Sequence, residues 1–421
     1  MGRDGTIGIQ TCVVQADVMA FEEAQRRIVD ACPPLGPERI PLRHAAGRVA
    51  ARPIVAEADL VPFARSGMDG FAVRADDLAA APLDLPVRGR LFAGWADAEH
   101  APRTATAIAT GAAMPRGADS VLPIEDVETS DGIVRVARAV AAGIHVFPAG
   151  EDARAGESLV AAGVQLRPST LGLLAAAGHA YVDVYRKPKV ALICTGDELV
   201  PIEVQPGYGQ IRNSNAEVIA ASLEAFGASV VGIEAVGDDR VALTRILEEA
   251  FGAANLVLTT GGASVGERDL VKPILDELGV TFTFRSVALR PAKPSAFGTR
   301  GDVRIGVLPG NPSSAFVALQ ELIRPAIRAL AGQRCPLLPR VIARLEGNAR
   351  AKPGLTYASY AQVRVAEDGF VVRPLTNQCS SLTRTASLAD GFVIIPPGST
   401  NFATGARMAA DVFDWTGVAK E

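Results

Sequence analysis

Thr259-Thr260-Gly261-Gly262-Ala263-Ser264-Val265-Gly266-Glu267-Arg268-Asp269 is the stretch of this chain best suited to hold an anion. It follows an apolar run of buried-strand type at residues 255–258 and precedes residues 270–278, whose apolar positions recur at helical spacing. In a strand-to-helix turn, paired glycines can take positive φ and bring the backbone against a ligand. The helix that follows turns its free N–H groups to the same point. Phosphate or another oxyanion is the natural guest, although Gly261-Gly262 alone would equally serve a tight turn. Comparable turns recur at Thr195-Gly196-Asp197-Glu198, Gly237-Asp238-Asp239 and Pro309-Gly310-Asn311-Pro312-Ser313-Ser314, each after an apolar run. Acids beside anion-cradling loops suit a hard divalent cation such as Mg²⁺, which takes oxygen ligands and bridges carboxylate to phosphate. Arg285, Arg290 and Lys293, at or after an expected strand over 281–287, could neutralise phosphate, though isolated charges are more often solvated surface.

The elements that must position these groups read as repeated β-α units from Lys189 onward. Strands are expected over 190–194, 230–236, 255–258, 281–287 and 303–308. Helices are expected from Ser214, capped by Ser214 with Glu217, over 241–251, over 270–278, and from Pro312 with Asn311 as cap. Such units build a mainly parallel sheet covered by helices on both faces, with ligands at the carboxyl ends of the strands. All the turns named above fall on that edge.

The 421 residues, 48% hydrophobic and 21% charged, exceed one ordinary domain and can bury several cores. A formal net charge of -4 offers no general attraction to nucleic acid or to an anionic membrane, so an anion site must be local. No apolar run reaches membrane-spanning length and the N-terminus lacks a basic-then-apolar signal, so a cytoplasmic protein is expected. Five scattered cysteines without a CxxC pair and four dispersed histidines indicate neither a disulfide framework nor a zinc site, and make a Ser-His-Asp triad improbable.

Before the β-α units, Asp17 can cap a helix through Phe21, Ala24 and Ile28. Residues 51–149 turn to short β-type runs, with two polar loops at 62–73 and 110–119 that contain Asp69 and Thr110; either loop alone would be read as a plain turn. Gly150-Glu151-Asp152 precedes a short helix at 168–178 closed by Gly178. Residues 331–421 return to alternating runs, which predict a small β barrel or sandwich without evident chemistry.

Taken in order, Ser66-Gly67-Met68-Asp69-Gly70-Phe71-Ala72-Val73, Thr110-Gly111-Ala112, Gly150-Glu151-Asp152, Thr195-Gly196-Asp197-Glu198-Leu199, Gly261-Gly262-Ala263-Ser264-Val265-Gly266-Glu267 and Leu308-Pro309-Gly310-Asn311-Pro312 resemble the molybdopterin molybdenumtransferase family, whose animal relative is the C-terminal domain of gephyrin. The resemblance implies a multidomain α/β chain. A linking helical region (17–50 and 150–184) would be interrupted by a β-rich module (51–149). A three-layer αβα molybdopterin-binding domain (185–330) and a C-terminal β-barrel-like domain (331–421) would follow. It further implies a homodimer that takes adenylylated molybdopterin and molybdate, uses Mg²⁺ and releases AMP. Molybdopterin adenylyltransferase and recipient molybdoenzymes are the implied partners. Glu198, Asp238 and Asp269 match the acids that handle metal, molybdate or phosphoanhydride. Asp69, Thr110 and Asp152 match functional positions from the other lobe, across the dimer cleft. Cofactor-binding positions by the same matching are Thr195, Gly196, Gly261, Gly262, Ser264, Gly266, Arg285, Arg290, Lys293, Pro309, Pro312 and Ser313.

Three departures stand out against the family pattern. Residues 145–149 read His145-Val146-Phe147-Pro148-Ala149 where relatives commonly carry Arg, Arg285 and Arg290 stand where Lys is usual, and Ser66-Gly67 replaces Ser-Ala. They motivate an alternative reading as a non-catalytic paralogue that carries or scaffolds the pterin.

Overall fold

The computed structural model describes residues 18–95, 98–262, 270–414 and 419–420. The first helix, α1 (Phe21–Asp30), begins at Ala20, whose side chain makes no capping bond; the expected cap, Asp17, lies outside the described residues. Phe21, Ala24 and Ile28 form one buried stripe, as helical spacing requires, and it packs into the core of the α/β region.

A six-stranded sheet forms the β-rich module from β1 (Gly70–Val73), β2 (Leu83–Leu91), β3 (Ala105–Ile108), β4 (Ser120–Pro123), β5 (Glu128–Ser130) and β6 (Ile133–Val136), in the order β4-β1-β3-β2-β6-β5. Phe71, Val73, Leu85, Leu122 and Val134 fill its core. On either side of the module the chain returns to one small cluster, in which Ile54, Val160, Leu174, Val182 and Val184 pack together. There Pro37–Pro41 pairs antiparallel with Tyr181–Tyr185, and α2 (Pro168–Ala176) covers the cluster.

The central sheet comprises β7 (Lys189–Thr195), β8 (Ser229–Val236), β9 (Leu256–Thr260), β10 (Thr281–Phe284), β11 (Ala296–Arg300) and β12 (Val303–Leu308), ordered β8-β7-β9-β12-β11-β10. The first four are parallel, whereas β11 runs antiparallel to both of its neighbours. Alternation along β7 sends Val190, Leu192 and Cys194 to one face and Ala191 and Ile193 to the other. Helices α3 (Ser214–Ala225), α6 (Pro312–Ala318) and α7 (Arg324–Leu330) join α1 on the first face. Helices α4 (Arg240–Ala253) and α5 (Val271–Glu277) cover the second. Full burial of a side chain such as Leu192 or Leu258 stabilises the sheet by about 1.5–3 kcal/mol.

Several local expectations need correction. The strand after α5 stops at Phe284 rather than Val287, and β11 was not foreseen. Asn213, not Ser214, caps α3, its side chain accepting from Ala216 N at 3.2 Å, because the helix starts one residue earlier than the Ser-x-x-Glu pattern implies. Asn311 occupies the cap position of α6 but makes no capping bond; its amide lies 3.5 Å from Ser380 Oγ. Between α6 and α7, residues Leu319–Ile323 widen into a π turn.

The C-terminal region closes into a five-stranded barrel. Its strands β13 (Arg340–Leu345), β14 (Thr356–Ala366), β15 (Gly369–Pro374), β16 (Gly391–Ile395) and β17 (Arg407–Val412) pair in the ring β13-β15-β14-β16-β17-β13. A short helix, α8 (Thr383–Ser387), lies in the β15–β16 connection and reaches back to α6. Among the described residues no helix is long and apolar enough to cross a membrane.

Candidate active site

At the carboxyl edge of the central sheet, the ends of β7, β9 and β12 touch. Gly261, just past β9, has φ +95°, and a Cβ on it would fall 2.2 Å from Thr195 O and 2.7 Å from Thr195 Oγ1. A Cβ on Gly310 would stand 3.3 Å from Gly261 Cα. The two glycines therefore allow three strand ends to converge more closely than side chains would permit. Asn215, in the first turn of α3, ties them together by donating to Thr260 Oγ1 (3.1 Å) and to Gly310 O (2.8 Å), while Thr260 Oγ1 donates to Pro309 O (3.0 Å).

Polar atoms are left over at this edge. Thr195 Oγ1, Thr259 Oγ1, Ser313 Oγ and Asn215 Oδ1 are buried without a hydrogen-bond partner among the described residues. Buried polar groups are normally paired, so an orphaned set at a strand end is where a polar ligand would restore the balance.

Acids line the open side. The Glu198 carboxylate folds over Gly196, whose hypothetical Cβ would meet Oε2 at 2.3 Å. Asp197 holds the next turn: its Oδ1 accepts from Asp238 N at 2.9 Å and would lie 2.6 Å from a Cβ on Gly237. Asp239 caps α4 through Val241 N (2.8 Å) and Ala242 N (2.9 Å). Among the described residues no group of three or more His, Cys, Asp or Glu side chains is arranged to hold a metal. Cys194, one residue before Thr195, is no nucleophile, because burial pushes its thiol up, only partly offset by the Asn213 side chain.

Thr195, Gly196, Glu198, Asp238, Gly261, Gly262, Pro309, Pro312 and Ser313 all belong to this edge. Ser264, Gly266 and Asp269 lie outside the described residues. Arg285 is engaged elsewhere, in a two-pronged pair with Asp276 and stacked 4.2 Å over Phe282. Arg290 and Lys293 are exposed in the connection between β10 and β11, where residues 289–290 pair with barrel strand β14.

The remaining three predicted residues sit elsewhere in the chain. Asp69 Oδ1 accepts from Thr110 N at 2.8 Å, joining the two polar loops of the β-rich module, and both residues are exposed. Asp152 is exposed in a loop that Asp59 braces through Ala155 N. None of the three makes a hydrogen bond or ion pair with a described residue of the strand-end site.

The barrel, read from sequence as chemically silent, closes one wall of that site. Ser313 N donates to Ser380 O (3.0 Å), and Tyr360 Oη donates to Ser313 O (2.6 Å). Beside it, an apolar cavity of about 640 Å³ opens between Val218, Pro312, Phe316 and Ala386. Asp197 and Asn215 were the residues missed; the polar run Asn213-Ser214-Asn215 at a helix start was the available signal for the second.

Comparison with known proteins accounts for this arrangement. Residues 19–178 match the MoeA N-terminal region (domain I and II), 191–329 a probable molybdopterin binding domain, and 343–412 the MoeA C-terminal region (domain IV). A molybdopterin molybdenumtransferase from Synechococcus elongatus is 36% identical over 386 residues, 88% of this chain and 93% of the relative. The Haemophilus influenzae protein of the same description is 35% identical over 320 residues, 75% and 79% of the two chains. The crystal structure of a molybdopterin biosynthesis moeA protein from Pyrococcus horikoshii superposes with a TM-score of 0.82 at 27% identity, covering 94% of this chain and all of that one. The ordered motifs, the closed barrel and the full-length correspondence have one explanation: the chain belongs to the molybdopterin molybdenumtransferase family of enzymes.

Proposed function

We propose that this enzyme inserts molybdate into adenylylated molybdopterin, with Mg²⁺ and with release of AMP, as a step of molybdenum cofactor biosynthesis. The observation that carries the reading is the meeting of Thr195, Gly261 and Gly310 beside buried hydroxyls that lack partners, with Glu198 on the open side. Breaking a phosphoanhydride needs charge neutralisation and positioning more than a covalent nucleophile. The backbone around Gly261 and Gly262 and the hydroxyls of Thr195 and Ser313 would hold the phosphates. Asn215 keeps the β9 and β12 ends in register beneath them.

The donor set suits Mg²⁺ although no ready three-acid cluster is present, since this ion binds through one or two carboxylates plus substrate phosphates and keeps its waters. Glu198 and Asp238, with Asp269, are the residues that would hold it; when bound it would neutralise phosphate charge. Asp197, whose Oδ1 already accepts from a backbone N–H, positions the turn.

Asp69, Thr110 and Asp152, which do not bond to the strand-end site of their own chain, would complete the site of a second copy in a homodimer. An adenylyltransferase would supply the substrate and molybdoenzymes would receive the product, in the cytoplasm.

AMP release from adenylylated molybdopterin, with Mg²⁺ and with or without molybdate, tests the reading beside Glu198→Ala. Molybdate-dependent release that the substitution abolishes is expected. Pterin binding without release would overturn it in favour of a carrier.

A further inference from the structure

Arg65 and Phe147 form a unit that the strand-end chemistry leaves unused. Residues Arg65–Ser66 pair antiparallel with Val146–Phe147, and Arg65 and Phe147 are direct cross-strand partners. The Arg65 guanidinium lies 5.3 Å from the centroid of the Phe147 ring, and its Nη1 is buried without a hydrogen-bond partner. No described carboxylate pairs with it. Phe147 itself is 41% exposed, so the pair sits at the surface.

The backbone around this pair is held from several directions. Arg65 bridges to Ala113, Ser66 N donates to Ala112 O (2.9 Å), Gly111 N to Ser66 O (2.8 Å) and Gly67 N to His145 O (2.8 Å). Ser66 Oγ donates to Met68 O (2.6 Å), and the next residue, Asp69, receives the Thr110 N–H. A Cβ on Gly67 would stand 3.1 Å from Phe147 Cε2, so the ring lies directly over this loop. Arg65, Phe147, Asp69 and Thr110 thus share one fixed knot, three residues separating the cation from the acid.

A ring face attracts a guanidinium through its quadrupole but accepts none of the N–H groups that lie in the guanidinium plane. The ring thus holds the guanidinium without satisfying its N–H groups, which suit phosphate and related tetrahedral oxyanions. A lysine in this position would provide charge without the fork.

We infer that Arg65, oriented by Phe147, is the oxyanion-binding residue of the β-rich module and grips a tetrahedral dianion beside Asp69. This rests on the proposed reaction, in which molybdate and the substrate phosphates share that chemistry. It also explains how the module manages without arginine at residues 145–149: the guanidinium stands on the partner strand and the aromatic ring in the loop.

The test uses the full chain and four variants: Arg65→Met, Arg65→Lys, Phe147→Leu and the double exchange Arg65→Phe with Phe147→Arg. Binding of molybdate and of inorganic pyrophosphate is measured by calorimetry, alongside KM and kcat for AMP release. Arg65→Met should weaken oxyanion binding about 10- to 100-fold, the usual loss for a charge-assisted pair. Arg65→Lys and Phe147→Leu should lose less, and the double exchange should recover most of the loss, since the two positions face each other across the ladder. A rise confined to the molybdate KM identifies molybdate as the occupant; a rise confined to the pterin substrate identifies its phosphates.

Arg65→Met within two-fold of wild type for both anions and both KM values overturns the inference, as does wild-type protein that binds neither anion. Protein that binds an anion through Arg65 yet releases no AMP would leave it standing and overturn the proposed reaction instead. Unchanged thermal unfolding of Arg65→Met separates lost binding from a loosened loop.

Discussion

Gly261 and Gly196 end neighbouring strands of the same cradle, and an alanine at each meets a different obstacle. At Gly261 the obstacle is backbone: the new Cβ would lie 2.2 Å from Thr195 O, 0.8 Å inside the 3.0 Å limit that real Cβ contacts respect, with φ at +95°. The left-handed conformation costs a side chain about 1–2 kcal/mol, and forcing two strand ends apart adds roughly 1–3 kcal/mol of overpacking. Gly261→Ala should therefore destabilise the α/β core by about 2–5 kcal/mol. At Gly196 the nearest atom is Glu198 Oε2 at 2.3 Å, the end of a flexible side chain that can swing away. Gly196→Ala, at φ +149°, should cost only about 1–2 kcal/mol in stability while displacing the carboxylate and losing most turnover. Gly310→Ala is the intermediate case, with no left-handed φ but a Cβ 3.3 Å from Gly261 Cα, a tight contact that a small shift relieves. Urea denaturation followed by circular dichroism, beside AMP release, reads both effects. A smaller stability loss at Gly261 than at Gly196 would refute the backbone-contact account of the cradle.

Further expectations concern the frame around the site. Glu321, within the π turn, is buried against Gln25, Arg324, Arg340 and Asp411; burial first, then the Asp411 charge, raises its carboxyl well above the ordinary 4.5, with the arginines and Gln25 opposing. The folded chain then holds a proton that the unfolded chain releases, so stability falls as pH rises from about 4.5 through the raised value. Glu321→Gln should remove that slope and gain on wild type toward neutral pH; parallel stability curves for the two proteins would contradict this. Asn215→Leu, which removes two hydrogen bonds to the β9 and β12 ends, should cost roughly 1–3 kcal/mol by urea denaturation and impair phosphate binding. Tyr360→Phe leaves Ser313 O without its 2.6 Å donor and should cost about 1 kcal/mol, with a rise in substrate KM if the barrel wall matters to the site.

Much of the frame was readable from residue order. Apolar runs such as 190–194 and 303–308 could only be buried strands between helices, and the turns after them had to share one edge, because parallel β-α units permit no other arrangement. Thr195, Gly196, Gly261 and Pro309 were therefore legible as neighbours although more than a hundred residues separate the first from the last. The barrel was legible as a class, since alternating runs announce strands but not which strands meet to close a ring.

Only the tertiary structure decided which polar residues are free to act. Arg285 read in sequence as either a phosphate-neutralising charge or solvated surface, and packing places Asp276 beside it and Phe282 beneath it. Arg65 drew no attention in sequence, where nothing connects it to a phenylalanine 82 positions later; the ladder makes them partners and leaves one guanidinium nitrogen unmet. Asp197 and Asn215 gained their roles in the same way, from a backbone N–H on one strand end and a carbonyl on another. The physical reason is common to all four. Local sequence sets the period and the turn chemistry, whereas the partners that satisfy or spare a polar group come from distant segments that only packing brings within hydrogen-bond reach.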